Sequence, residues 1–340
     1  MDDRSYCGGM RFGVIGAGAV GGLLAALLHR AGHEVEVTAR GEQLAAIRAG
    51  GIRLDGGFGE HVARVAAGET LTVRPDIAFL TTKAQDAEAA LRPHVDLLRG
   101  VPLVVVQNGL GGLRLAHELL PESPLVGALT LSAVSYLEPG RVTVTSPLPT
   151  IVGAGPGCTP QRLAEIVAAI GPELPLETTP DIEGAQWTKL LVNHVNAMPA
   201  ITGLSVQQTI DDPALRRVIT ASMRETSRVA AAAGVRFADM QGTPGWFAGL
   251  LARLPLWIAQ LIPRRIRRRL GEVPNPGSTL QSIRRGRRTE IDYLNGATVR
   301  IAAEHGRTAP INAALVALVH EVEDSGAFVP PDEVVRRVPV

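Results

Sequence analysis

Apolar positions along this chain follow two rhythms. From Arg11 the run Arg11-Phe12-Gly13-Val14-Ile15 is a short, nearly continuous apolar stretch that reads as a buried strand, and Ala19–Arg30 follows as an Ala- and Leu-rich helix closed by Gly32. A second strand is read over Glu34–Thr38, and the alternation continues through 76–81, 84–97, 102–106 and 125–131. Strands alternating with helices predict a parallel sheet covered by helices, an α/β architecture. Beyond about residue 181 the patterns lengthen to a 3.6-residue period over 184–197, 213–233, 290–304 and 311–322, which predicts an all-helical second half. Thr179-Pro180 marks the change of texture, so the expected domains are residues 1–180 and 181–340. A length of 340 residues also favours two domains, with a cleft expected between them.

One stretch fits neither rhythm. Residues 242–271 carry Pro244, Pro255 and Pro263, two tryptophans (Trp246 and Trp257) and the basic run Arg264-Arg265-Ile266-Arg267-Arg268-Arg269. Arg253 and Pro255 interrupt the apolar part, which is too broken for a transmembrane helix. Two readings remain: an inserted helical hairpin packed on the domain with a solvated basic end, or an interfacial helix that meets lipid or a partner.

Composition narrows the class. With 46% hydrophobic and 20% charged residues the chain reads as a soluble globular protein with a sizeable core. The balance of 34 Lys and Arg against 33 Asp and Glu leaves a net charge of +1, which supplies no overall field for nucleic acid or an anionic membrane. Any anion site must be local. The two cysteines, Cys7 and Cys158, lie far apart without a CxxC pair, and His29 and His33 are separated by the helix-ending Gly32, so neither a disulfide framework nor a metal site is expected. The start Met1-Asp2-Asp3-Arg4 lacks the basic and apolar regions of a signal peptide, and a cytoplasmic location is expected.

The chemistry begins at Gly16-Ala17-Gly18-Ala19-Val20-Gly21, a G-x-G-x-x-G placed directly after a strand and opening a helix. There the first glycine allows a tight turn, the second lets backbone approach a pyrophosphate, and the third allows close packing of helix on sheet. Gly16, Gly18, Ala19, Val20 and Gly21 are therefore candidate dinucleotide-binding residues. At the end of the second strand, where a carboxylate would hold a ribose hydroxyl, stands Thr38-Ala39-Arg40, with no acid before Glu42. A guanidinium there pairs with a 2′-phosphate, which predicts NADPH as cofactor; the alternative is that Arg40 only caps a surface loop. Lys83 in Thr81-Thr82-Lys83-Ala84-Gln85, and Asn108 in Gln107-Asn108-Gly109, fall at the carboxyl ends of strands, where open α/β sheets bind ligands. In the helical half Lys189 and Asn193 are four apart on an otherwise apolar helix. Desolvation lowers a lysine's pKa and suits it to donate a proton at neutral pH, whereas the plainer alternative is a snorkelling side chain.

The strings GAGAVGG, TTKAQ, QNG, WTKLLVN, NPGS and TEIDYLNG occur in this order. Together they make the chain resemble the ketopantoate reductase (2-dehydropantoate 2-reductase) family over about residues 11–322, TEIDYLNG being the most discriminating. The resemblance implies an N-terminal Rossmann-type domain, a helical C-terminal domain and NADPH-dependent reduction of 2-dehydropantoate to pantoate, a step of pantothenate biosynthesis, in the cleft between them. By motif position it implies that Lys189 is the general acid and Glu290 the second catalytic group. Asn108, Asn193, Asn275 and Ser278 match substrate- and cofactor-contacting positions, with Lys83 lining the same cleft. Two positions depart from the family pattern: Ala197 stands where a further asparagine is usual, with Asn196 beside it, and Ser282 replaces a frequent aspartate. A paralogue acting on another branched 2-oxo acid therefore remains open. So does a non-catalytic NADP-binding regulatory protein, against which the pairing of Lys189 with Glu290 argues. A homodimer through the 242–271 segment is a further expectation.

Overall fold

The computed structural model describes residues 9–136, 138–240 and 244–340. The reading of the first four residues, Cys7 and the first two residues of the 242–271 segment lie outside them. The chain divides into two compact units. One runs to Gln107 and resumes over Gly111–Ile182, and the other comprises Asn108–Leu110 with Glu183–Val340.

The first unit is α/β. Its strands are β1 (Arg11–Ile15), β2 (Glu34–Thr38), β3 (Ile52–Gly56), β4 (His61–Ala63), β5 (Ala66–Gly68), β6 (Ile77–Leu80), β7 (Leu103–Val106), β8 (Leu125–Thr130), β9 (Ala133–Ser135), β10 (Arg141–Ser146), β11 (Thr150–Ala154) and β12 (Leu176–Thr178). Eight of them form one sheet in the order β12-β11-β8-β7-β6-β1-β2-β5. β1 is an interior strand, parallel to both β2 and β6. It reads as an apolar run because both faces are covered: Phe12, Val14 and Ile15 are fully buried. The expected parallel order holds from β5 to β8, whereas β11 runs antiparallel to β8. Between these two strands the chain forms only β9 and β10, with no helix to carry it back for a parallel return.

The unit holds a second sheet, β4-β3-β10-β9, which the hydrophobic rhythm does not announce. The helix Ala19–Arg30 is covered on more than one side as a result. Every residue from Gly21 to Leu28 is buried, and a side chain at Gly22 would meet Val142 Cγ2 of β10 at 2.7 Å. Such all-round burial explains a helix that is apolar on every face. Over 84–97 the expected single helix is broken into short turns around Pro93, which lacks the N–H that a continuing helix needs.

The second unit is helical. Ile182–Asn193 continues through a 3-10 turn at His194–Asn196 into Ala197–Thr202, and Val206–Asp211, Pro213–Ala232, Gly277–Arg284, Asn295–Glu304, Pro310–Ser325 and Pro331–Arg337 complete its larger helices. Pro213–Ala232 starts sharply because Pro213 is preset for the first turn and Asp212 accepts the N–H groups of Ala214 and Leu215. The expected helix over 290–304 is interrupted: a 3-10 turn at Ile291–Tyr293 ends at Leu294, whose φ of −101° and ψ of −97° are not helical. Inside the unit a buried polar cluster fixes three helices. Glu225 accepts the N–H groups of Ile311 (3.1 Å) and Asn312 (2.8 Å) at the start of Pro310–Ser325. Asn295 donates to Asn312 Oδ1 at 2.9 Å. Among the described residues no helix is long and apolar enough to cross a membrane.

Candidate functional site

The glycine turn after β1 has a distinct role for each glycine. Gly16 sits at φ 104°, a conformation costly to any residue with a Cβ. A Cβ on Gly21 would lie 2.1 Å from Gly16 O and 2.5 Å from Thr81 Oγ1, so only glycine lets the helix come this close to the turn. At Gly18 a Cβ would meet nothing within 4 Å, and no side chain caps the first turn of the helix it opens. Bare backbone facing open space at a helix N-terminus is a place for an anion.

Three polar side chains that local sequence does not flag hold this turn. Gly16 N–H donates to Thr38 Oγ1 at 2.9 Å, and Ala17 N–H to Thr38 O at 2.8 Å. Thr81 Oγ1 donates towards Gly16 O at 2.8 Å. Buried Gln43 donates to Ala17 O and accepts from Gly140 N–H, both at 2.7 Å, which ties the turn to the loop before β10. Each bond in such a setting contributes about 1 kcal/mol, and orphaning its buried partner costs about 1–3 kcal/mol. Arg40 is exposed at the start of the helix Gly41–Gly50, and its guanidinium enters no ion pair or hydrogen bond among the described residues. Lys83 is partly exposed and opens the 3-10 turn Ala84–Asp86. That loop is held by Gln107 Nε2, which donates to Thr82 O at 2.9 Å.

In the helical unit the structure brings Lys189 and Glu290 into electrostatic contact. Burial of the Lys189 ammonium lowers its pKa to about 8, and the negative charge of Glu290 works in the opposite direction. The amine thus remains mostly protonated at neutral pH while being a readier donor than a solvated lysine. Asn193, the last residue of the same helix, is partly exposed one turn on. Asn108 packs with this unit: the backbone at Gly109, with φ 79°, lies so close to Tyr293 O that a Cβ would come within 2.2 Å, and Leu110 N–H points at the same oxygen. The Asn108 loop therefore docks three residues beyond Glu290.

Glu290 itself is placed from below. Thr289 N–H donates to Glu323 Oε1 at 2.7 Å, and the Glu323 side chain, 3% exposed, also receives Arg288 and His320. Burial alone would raise the Glu323 pKa, yet the bonds from Arg288, Thr289 and His320 outweigh it and bring the carboxyl down to about 2. Glu323 lies 34 residues from its backbone partner, so no local motif could reveal it.

Asn275 and Ser278 have different surroundings. Asn275 Oδ1 accepts Gly277 N–H at 2.8 Å, while its backbone N–H donates to Gln207 Oε1 at 2.9 Å, so its side-chain oxygen serves to shape the turn into Gly277–Arg284. Ser278 is exposed in the first turn of that helix. The departures from the family pattern also find places. Ala197 is 1% exposed in the helical core, whereas Asn196 Oδ1 faces Gly277 closely enough that a Cβ there would come within 2.6 Å. Among the described residues no group of three or more His, Cys, Asp or Glu side chains is placed to hold a metal ion.

Comparison with known proteins agrees with both units. Residues 12–157 match the family described as ketopantoate reductase PanE/ApbA, and residues 181–323 match its C-terminal counterpart. The 2-dehydropantoate 2-reductase of Pyrococcus horikoshii is 28% identical over 319 residues, covering 93% of this chain and 99% of that protein. The crystal structure of a PanE/ApbA family ketopantoate reductase from Ralstonia eutropha JMP134 is 31% identical, with a TM-score of 0.76 over 93% of this chain and 99% of that one. D-mandelate dehydrogenase, solved with NADH and anilino(oxo)acetate, has the same fold with a TM-score of 0.78 at 20% identity, over 93% and 99% of the two chains. The motifs, the architecture and these matches over nearly the whole chain lead to one conclusion: the chain belongs to the ketopantoate reductase family.

Proposed function

We propose that this protein is an NADPH-dependent reductase that converts a 2-oxo acid to its 2-hydroxy acid, with 2-dehydropantoate as the first substrate to test. What supports this reading most is the placement of the Lys189 amine with Glu290 inside the helical unit, where desolvation lowers its pKa to about 8 and the carboxylate opposes the shift. A dinucleotide fits the glycine turn: Gly18 leaves open space, the helix N-terminus carries no side-chain cap, and Arg40 offers a guanidinium suited to a 2′-phosphate. When bound, NADPH supplies the hydride. Lys189 holds the proton that the substrate's keto oxygen takes as negative charge develops there. Glu290 keeps that amine charged, and Thr289, tied to Glu323, fixes where Glu290 stands. Asn193, one turn on from Lys189, and Asn108, whose loop docks at Tyr293, are the amides proposed to orient a small polar acid, with the exposed Ser278 hydroxyl as a further contact.

The test is NADPH oxidation with 2-dehydropantoate and a panel of other 2-oxo acids, comparing wild type with Lys189→Ala. Turnover of 2-dehydropantoate that falls about 10²–10⁴-fold in the variant supports the reading. A different preferred acid, equally lost in the variant, keeps the mechanism and moves the substrate. The Ala197 and Ser282 departures and the anilino(oxo)acetate bound by the structural neighbour are reasons to include bulkier acids. NADPH binding without turnover of any acid would replace this proposal with a regulatory, nucleotide-binding role.

A further inference from the structure

The stretch from 244 to 271 contains six arginines and no acidic residue. It folds as three short helices, Gly245–Leu250, Leu256–Ala259 and Leu261–Arg269. Their inner faces are anchored, because Ala248, Leu251 and Ala259 are buried in the core of the helical unit and Ile262, Ile266 and Leu270 pack against it. Their outer faces are of another kind. Trp246 is 69% exposed and Leu250 and Arg253 follow it at helical spacing, also exposed. Trp257 is 73% exposed and Leu261, four residues on, is 55% exposed.

In Leu261–Arg269 the two faces separate cleanly at about 100° per residue. Ile262, Pro263, Ile266, Arg267 and Leu270 fall on the inner side, whereas Leu261, Arg264, Arg265, Arg268 and Arg269 are all exposed. Arg267 is occupied by Asp211 at 3.0 Å and Glu272 at 3.4 Å. The other four guanidinium groups make no ion pair or side-chain hydrogen bond among the described residues.

From this placement we infer that the outer face of residues 244–269 docks on an anionic lipid surface. Exposed tryptophans beside leucines are the side chains that settle at the headgroup level, with an apolar ring and a polar N–H. Unpaired arginines next to them supply the attraction to anionic headgroups, and such peripheral docking requires no membrane span. Nucleic acid would use the arginines but has less need of Leu250 and Leu261. A second copy of the same face would set the four arginines against their own counterparts. The near-zero net charge of the whole chain makes this patch a local feature, so the attraction is short-ranged and sensitive to salt.

The experiment uses the full chain and vesicles of phosphatidylcholine alone or with about one third phosphatidylserine, read by co-sedimentation and tryptophan emission. Trp187 is buried, so a blue shift on vesicles reports on Trp246 and Trp257. Binding is expected to the phosphatidylserine vesicles only, with a blue shift and weakening in salt. Arg264→Ser with Arg268→Ser should weaken it by about fivefold per arginine. Trp246→Ser with Trp257→Ser should abolish the shift, while circular dichroism and NADPH binding of both double variants match wild type. No sedimentation with either vesicle overturns the inference. Equal binding to both vesicles overturns the electrostatic part and with it the anionic surface. Tight binding to duplex DNA without vesicle binding, or a dimer lost in the tryptophan variant, assigns the face to those partners instead. None of these outcomes depends on which acid the protein reduces.

Discussion

The backbone N–H of Thr289 and the carboxylate of Glu323 meet at 2.7 Å, one residue before Glu290. Because the Glu323 pKa is held at about 2 in the folded protein and lies near 4.5 when unfolded, the stability it contributes is present above about pH 4.5 and is lost as pH falls towards about 2. Glu323→Gln is expected to lower stability at pH 7 by about 2–3 kcal/mol and to flatten the acid limb of a urea-unfolding series. The same variant should lower kcat more than it raises KM, since it displaces Glu290 without touching substrate. An acid limb identical to that of wild type would contradict this role.

For Lys189 the sign is opposite to that of an ordinary ion-paired lysine. Its folded pKa of about 8 lies below the unfolded value of 10.5, so the unfolded chain binds more protons between them and stability rises with pH across that window. Lys189→Met is therefore expected to be inactive yet more stable at pH 7, by about 1–3 kcal/mol. In the active protein the rate should fall as pH rises through about 8, when the acid loses its proton. Glu290→Gln removes the charge that supports the ammonium, and its pH-rate profile should bend at lower pH. A profile unmoved by this substitution would show that Lys189 is not the titrating acid.

Gly18 and Gly21 separate folding from binding. A methyl at Gly21 collides with Gly16 O and Thr81 Oγ1, so Gly21→Ala should cost about 1–3 kcal/mol of stability as well as cofactor affinity. A methyl at Gly18 meets no protein atom, and Gly18→Ala should melt like wild type while binding NADPH at least about tenfold more weakly. Thermal melts and cofactor titrations of the two variants decide the matter.

Arg40 is the test of cofactor choice. Arg40→Ser should weaken NADPH by roughly 1.5–3 kcal/mol and leave NADH nearly unchanged. Equal losses for both cofactors would leave Arg40 without a role in 2′-phosphate recognition.

Much of this was legible locally. β1, the helix Ala19–Arg30 and β2 appear in the structure at the bounds their patterns suggest, because burial on all sides leaves an apolar run in the first two and β2 alternates glutamate with valine as a strand does. The small sheet was not legible: its strands are three to six residues long, and Arg53 pairs with Arg141 far along the chain. Nor were the residues that secure the site. Gln43 reaches Gly140 across 97 positions, so its polarity in sequence is that of any helix surface. The Lys189–Glu290 pairing spans distant segments too, and motif resemblance rather than periodicity brings the two residues together. The break at Leu294 leaves no trace in the sequence because apolar spacing runs on across it, whereas the backbone does not.

The helix that follows the glycine turn is clamped by the large sheet and by Val142 of the small one, with Gln43 and Thr38 fastening the turn itself. If an anion binds at this turn as proposed, it meets a backbone already fixed in place, and its binding spends little of the interaction on ordering the loop. Such a site should tolerate almost no variation in the helix behind it, including positions that never approach the ligand. On the proposed reading, the glycine turn acts as a phosphate cradle that is less a flexible loop than the exposed end of a core.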